Sequence, residues 1–186
     1  MTWASNPPII AILDGQKLIR ALGDKTPKIA ESAFISESAY VVGEVEIGEN
    51  CAVLPGAVIR GDFGGIRIGK NVVIEDNVVV HGAPPCLEIG DDVTIGHGAV
   101  VNARRIGSKV LIGINATVLH QVETGDRCVI AAGAVVGEGM KIPSDSFVAG
   151  VPAKVIGKAT EKQLKWVERA PEVFSWWLEK YKQQRL

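Results

Sequence analysis

The sequence predicts an all-β fold, a parallel β-helix of hexapeptide repeats followed by a C-terminal α-helical segment. Three observations carry this. Aliphatic residues recur every six positions, many of them precede a glycine, as in IGEN, IGKN, IGDD, IGHG, IGSK and IGIN, and the last stretch of chain abandons that period for a helical one. A hydrophobic fraction of 47% with only 5% aromatics leaves an aliphatic, β-branched composition that suits strands.

The repeat begins with Ile29, Ile35, Val41, Ile47, Val53 and Ile59 and resumes after a gap of nine at Ile68, Ile74 and Val80. A second gap of nine leads to Ile89, Ile95 and Val101, and one step of five leads to Ile106, Ile112, Val118, Thr124, Ile130, Val136, Ile142 and Val148. A period of six matches neither an amphipathic helix nor a plain alternating strand, but it suits short strands joined by turns, three to a triangular coil. Each aliphatic then stacks on its equivalent one coil later, and the positions imply roughly six coils. The gaps place loops pushed out of the coil at 61–67 (GDFGGIR) and 81–88 (HGAPPCLE), and the glycines are expected to supply the backbone dihedrals of the turns.

Residues 1–157 are expected to form the β-helix domain, its open end covered by a hairpin from the first 25 residues. In the tail, 158–186, Thr160 and Gln163 read as a capping box. Leu164, Val167, Val173, Phe174, Trp177, Leu178 and Tyr181 follow at helical spacing, and Pro171 is expected to break or kink the segment into two helices packed on the prism or a neighbouring subunit.

Twenty Lys and Arg against 21 Asp and Glu give a net charge of −1, which offers no field to attract nucleic acid or an anionic membrane. No signal peptide or membrane span is visible. Cys51, Cys86 and Cys128, an odd number without a C-x-x-C pair, fit a reducing compartment, and the cytoplasm is the expected location.

The chain has three histidines, His81, His97 and His120. His81 begins the second gap and His97 follows a repeat glycine, about one coil on, so the two are expected near each other along the prism wall. Two neutral imidazoles can bind Zn2+, Fe2+ or Co2+, but a catalytic site ordinarily takes three protein ligands and leaves a position for water.

The run from Pro27 to Gly82, with IRGD and the HG loop, followed by IGDDVTIGHGAVV and AGVPAKVIG, resembles the gamma-class carbonic anhydrase family over roughly residues 27–157. The resemblance implies a left-handed β-helix, a homotrimer, and a metal between adjacent subunits held by three histidines from two chains. Two of those positions match His81 and His97. The third is Asn102 here, and an amide oxygen is a weaker ligand than an imidazole, so any Zn2+, Fe2+ or Co2+ is held loosely or is absent. Arg60 and Asp62 match an Arg–Asp pair that orders the interface. Glu75 stands where the family has a Gln near the metal-bound hydroxide; it is a candidate general base, a substitute ligand, or a partner of Arg60 or Arg104. His120, one coil after Asn102, is a further candidate for the missing ligand.

The activity implied is reversible hydration of CO2 to bicarbonate. Other readings compatible with these residues are a hydrolase acting on a CoA thioester with Glu75 as base, a hexapeptide acyltransferase suggested by GVPAKVIG at 150–157, and a non-catalytic trimeric scaffold with a degenerate site.

Overall fold

A six-residue strand-and-turn unit buries one aliphatic only if the next coil covers it, so the chain must wind. The computed structural model describes residues 18–184 and shows this winding as seven coils. The first coil is β1 (Leu18–Arg20), β2 (Lys28–Ile29) and β3 (Phe34–Ile35), and the second is β4 (Tyr40–Ile47) and β5 (Ala52–Val53). The third is β6 (Val58–Ile68) and β7 (Val73–Ile74), and the fourth is β8 (Val79–His81), β9 (Cys86–Ile89) and β10 (Thr94–Ile95). The next two are β11 (Val100–Val101), β12 (Arg105–Ile106) and β13 (Leu111–Ile112), then β14 (Thr117–Val118), β15 (Glu123–Thr124) and β16 (Val129–Ile130). The last is β17 (Val135–Val136), β18 (Lys141–Ile142) and β19 (Ser146–Gly150), after which β20 (Ala153–Lys158) turns back antiparallel to β19.

Equivalent strands pair in parallel and make three faces. The first face runs β1, the start of β4, the start of β6, β8, β11, β14 and β17; the second runs β2, the ends of β4 and β6, β9, β12, β15 and β18. Because β4 and β6 pass through the corner between them, these two faces form one twelve-stranded sheet. The third face, from β3 to β20, is a separate eight-stranded sheet.

The hexapeptide column is the core. From Ile35 to Val148 every predicted repeat position is buried, including Thr124, the one polar member. The outward residues differ by face. On the second face they form a ladder of alternating charge, Lys28, Glu46, Arg67, Glu88, Arg105, Glu123 and Lys141, one per coil. On the first face the matching ladder is Leu18, Tyr40, Val58, Val79, Val100, Thr117 and Val135, and among the described residues nothing covers Val79 or Val100. On the third face it is Phe34, Ala52, Val73, Thr94, Leu111, Val129 and Phe147.

That third ladder is where helix α1 (Glu161–Gln184) lies. Seven strands at about 4.8 Å spacing span about 29 Å, and 24 helical residues reach about 36 Å, so one helix can cover the whole face. Leu164 and Val167 pack on Val129, with Leu111 and Phe147 beside them. Further along, Leu178, Phe174 and Tyr181 pack on Phe34, Ala52 and Val73. The capping box forms as expected: Gln163 Oε1 accepts the Thr160 N–H at 2.8 Å and the Thr160 hydroxyl accepts the Gln163 N–H at 3.3 Å. The helical span passes through Pro171 without a gap; its two halves hold separate parts of the face, and that packing carries the chain across a residue lacking an N–H.

Three expectations are corrected. There are seven coils rather than six, because Ile19 of β1 stands in register with Val41 and starts the column earlier. Of the expected N-terminal hairpin, β1 joins the first face in parallel and Leu22 and Lys25 form an antiparallel bridge, while residues 1–17 lie outside the described residues. Residues 61–67 are not a loop but the continuation of β6, paired with β4 and β9. Finally, the left-handed backbone at the turns comes mostly from residues other than the repeat glycines. At the corner between the second and third faces these are Asn50, Asn71, Asp92, Lys109, Arg127 and Asp145, with φ of 54–60°. The glycine after the aliphatic is needed for close approach instead: a Cβ on Gly48 would stand 2.4 Å from the Gly69 carbonyl oxygen. Among the described residues no helix is long and apolar enough to cross a membrane.

Candidate active site

The candidate residues fall at two corners, one at each border of the bare first face. Register explains this. Arg60 pairs with His81 across β6 and β8, and Asn102 follows Val101, which pairs with Val80, so Arg60, His81 and Asn102 stack at the corner between the first and second faces. Glu75 and His97 follow Ile74 and Ile95, which pair across β7 and β10, so they stack at the corner between the third and first faces. The expected closeness of His81 and His97 along the wall of one chain is therefore not found: the first-face strands stand between them.

At the first corner Asp62 organises the others. Its carboxylate pairs with Arg60 Nη1, accepts the Phe63 N–H at 2.9 Å, and lies 3.1 Å from His81 Nε2. Burial pushes the Asp62 carboxyl up, but the hydrogen bonds from Arg60, His81 and the Phe63 N–H outweigh it and hold the group below the usual carboxylate range. The Asn102 amide Nδ2 donates to the His81 carbonyl at 2.7 Å and lies 3.1 Å from His81 Nδ1. This fixes the amide orientation, since the flipped form would set two carbonyl oxygens 2.7 Å apart. With Nδ1 accepting from Asn102, the ring's proton sits on Nε2 and is given to Asp62. Asn102 is buried, and its Oδ1 has no hydrogen-bond partner among the described residues.

At the second corner His97 is held by two carboxylates, Glu75 Oε2 at 3.1 Å from Nε2 and Asp76 Oδ2 at 2.9 Å from Nδ1. The His97 backbone N–H also donates to Glu75 Oε2 at 2.9 Å. Burial pushes the Glu75 carboxyl up from its ordinary value; His97 offsets part of this and the charge of Asp76 adds to it. Glu75 thus pairs with His97, while Arg104 lies against Glu123. Asp76 is a site residue the sequence reading did not single out; its signal was the ED pair one coil before IGH. His120 is exposed at the first corner, beyond Leu119, which stands level with Asn102.

The donors of one chain do not converge on a single point. Within one chain, no group of three or more His, Cys, Asp or Glu side chains converges as a metal cage among the described residues. His81, oriented by a carboxylate as metal-binding histidines commonly are, and the orphaned Asn102 Oδ1 stand together at the first corner. The exposed His97 ring stands at the second. A set of two imidazoles and one amide oxygen is a weaker holder of zinc than three imidazoles.

A parallel β-helix with imidazoles at its corners defines a class, the hexapeptide-repeat proteins. Two families of that class match, "Bacterial transferase hexapeptide (six repeats)" over residues 105–138 and "Hexapeptide repeat of succinyl-transferase" over residues 44–81. A "Probable carbonic anhydrase" of Methanocaldococcus jannaschii is 43% identical over 75% of this chain and 89% of its own length. The mitochondrial gamma carbonic anhydrase 1 of Arabidopsis thaliana is 35% identical over 82% of this chain and 58% of its own length, so this chain spans little more than half of that plant relative. Among solved structures, a Bacillus cereus protein with a provisional acetyltransferase assignment superposes with a TM-score of 0.83 at 34% identity, covering 89% of this chain and 97% of the other. The chain belongs to the gamma carbonic anhydrase-like family of hexapeptide-repeat proteins.

Proposed function

We propose that the protein is a carbonic anhydrase-like lyase that interconverts CO2 and bicarbonate, and that it works as a homotrimer. In the assembly the His81–Asn102 corner of one subunit meets the His97–Glu75 corner of the next. One observation supports this most: the two half-sites border the same face, and that face is the one left apolar and uncovered. Burying Val79 and Val100 between subunits removes apolar surface from water and brings the half-sites together in one step.

His81, the Asn102 amide oxygen and His97 are the residues that would hold a Zn2+, Fe2+ or Co2+ ion. Such an ion, when bound, lowers the pKa of a water ligand to about 7 and supplies a nucleophile for CO2. Asp62 holds the His81 ring by accepting its Nε2 proton, and Arg60 holds Asp62. Glu75, pushed up by burial, is suited to take and return a proton at Oε2, the oxygen that His97 steadies through its backbone N–H. The Asn102 bond to His81 Nδ1 has to open for that nitrogen to reach a cation, which weakens binding further. The free thiols Cys51, Cys86 and Cys128 fit a reducing compartment such as the cytoplasm.

The test is metal content by elemental mass spectrometry on untagged protein, together with CO2 hydration, in wild type and His97→Ala. Ions lost from the variant along with hydration support the reading. A metal-free, folded trimer without hydration activity sinks it and leaves the scaffold.

A further inference from the structure

The cover that α1 gives the third face is interrupted. Between the part of the helix seated on Val129 and the part seated on Val73 there is a cavity of about 420 Å3. Its walls are Thr94, Leu111, Val129 and Ala131 from the prism and Trp166 and Phe174 from the helix, and Glu75 is its one ionisable wall residue among the described residues. That volume is within the roughly 300–1,000 Å3 of small-molecule sites, and an empty apolar space of this size forfeits dispersion contacts that packed interiors keep.

A second cavity of about 270 Å3 adjoins it, sharing Trp166 and Val173 and otherwise lined by Lys162, Lys165 and Arg169. The three cations lie on one helical stripe, at i, i+3 and i+7. No ion pair to any of them occurs among the described residues, although Arg127 nearby is paired with Glu168. An apolar compartment thus adjoins a patch of positive charge with no ion pair among the described residues, while Glu75 lines only the apolar part.

We propose that this double cavity binds a small amphipathic anion, an apolar carbon chain ending in a compact carboxylate or phosphate head. The chain lies between α1 and the third face, and the head sits over Lys162, Lys165 and Arg169. A neutral or cationic amphiphile has the chain but not the pairing; inorganic phosphate has the pairing but nothing to fill the apolar volume. The head position shares no residue with the two half-sites, while the apolar compartment reaches Glu75, the residue proposed as base.

Isothermal titration calorimetry of the full chain with decanoate, decyl phosphate, decanol, decyltrimethylammonium and inorganic phosphate tests this. One anion per chain is expected, with either anionic probe binding at least about tenfold tighter than the cationic one, the scale of charge-assisted pairing. The tighter of decanoate and decyl phosphate identifies the head. The triple variant Lys162→Glu, Lys165→Glu, Arg169→Glu should lose at least about tenfold in affinity for the anions. Ala132→Phe, on the exposed rim of the apolar cavity, should weaken all chain-bearing probes and leave the circular dichroism unchanged. Binding of decyltrimethylammonium as tight as decanoate, no saturable binding of either anion, or full affinity in the triple variant would each overturn the proposal.

Discussion

The first and second faces share one backbone sheet and one inward column, yet their outward residues have nothing in common. The second shows solvent a seven-rung ladder of alternating charge, self-sufficient because each rung is flanked by the opposite sign. The first shows mostly uncharged residues, valine above all, and the candidate site residues stand at both of its borders. The lesson is that the inward residue of each hexapeptide builds the coil and the outward one decides what the coil meets.

The comparison breaks most severely if the first face is given the second face's character. Val79→Glu with Val100→Glu, read by analytical ultracentrifugation, should convert the assembly to single chains that keep their β-rich circular dichroism and bind no metal, because both positions are already exposed in the isolated coil. Sharpening the site is the next largest effect. Asn102→His restores a third imidazole and removes the amide from His81 Nδ1, and metal affinity should rise by about one to two orders of magnitude, in line with what a ligand or its supporting contact is worth. Competition against a chromophoric chelator measures it.

A smaller effect lies in the corner between the second and third faces. Burial pushes the Cys51 thiol up to about 11, with its Sγ–H donated to the Gly69 carbonyl at 3.0 Å. Because the folded value is above the unfolded one, this contribution is fully present below about pH 8.5 and is lost as pH rises toward 11, by about 2 to 3 kcal/mol. Denaturant melts at pH 8 and pH 10.5 should show the loss in wild type and a smaller one in Cys51→Ala. The smallest effect is on the second face itself. Arg67→Glu sets like charges beside Glu46 and Glu88, pairs now at 3.8 and 3.9 Å and exposed, so the cost should stay within about 1 kcal/mol and shrink in high salt.

The period of six made the coil legible, since an inward aliphatic leaves its mark at a fixed interval whatever faces outward. Ile19 escaped notice because ten residues separate it from Ile29. Residues 61–67 read as a loop because Gly61, Gly64 and Gly65 look like punctuation; their lack of a side chain instead lets neighbouring segments close in, as where a Cβ on Gly64 would come 2.3 Å from the Ala83 carbonyl carbon. The candidate residues were visible through motif resemblance, but their arrangement was not. A count of coils says that His81 and His97 are neighbours in height and is silent on which corner each occupies; only the pairing of Ile95 with Ile74, and of Val101 with Val80, decides that. The double cavity under α1 was not legible at all, because it depends on where a helix touches a sheet far away in sequence.

The most direct test of a site divided between subunits is co-refolding of two inactive chains, His81→Ala and His97→Ala, followed by elemental analysis and CO2 hydration. Each variant alone should lack metal and activity. Mixed trimers should regain both, because the His97 corner of one variant then meets the His81 corner of the other. Mixtures as empty as the separate variants, or a single variant that keeps its metal, would contradict the account.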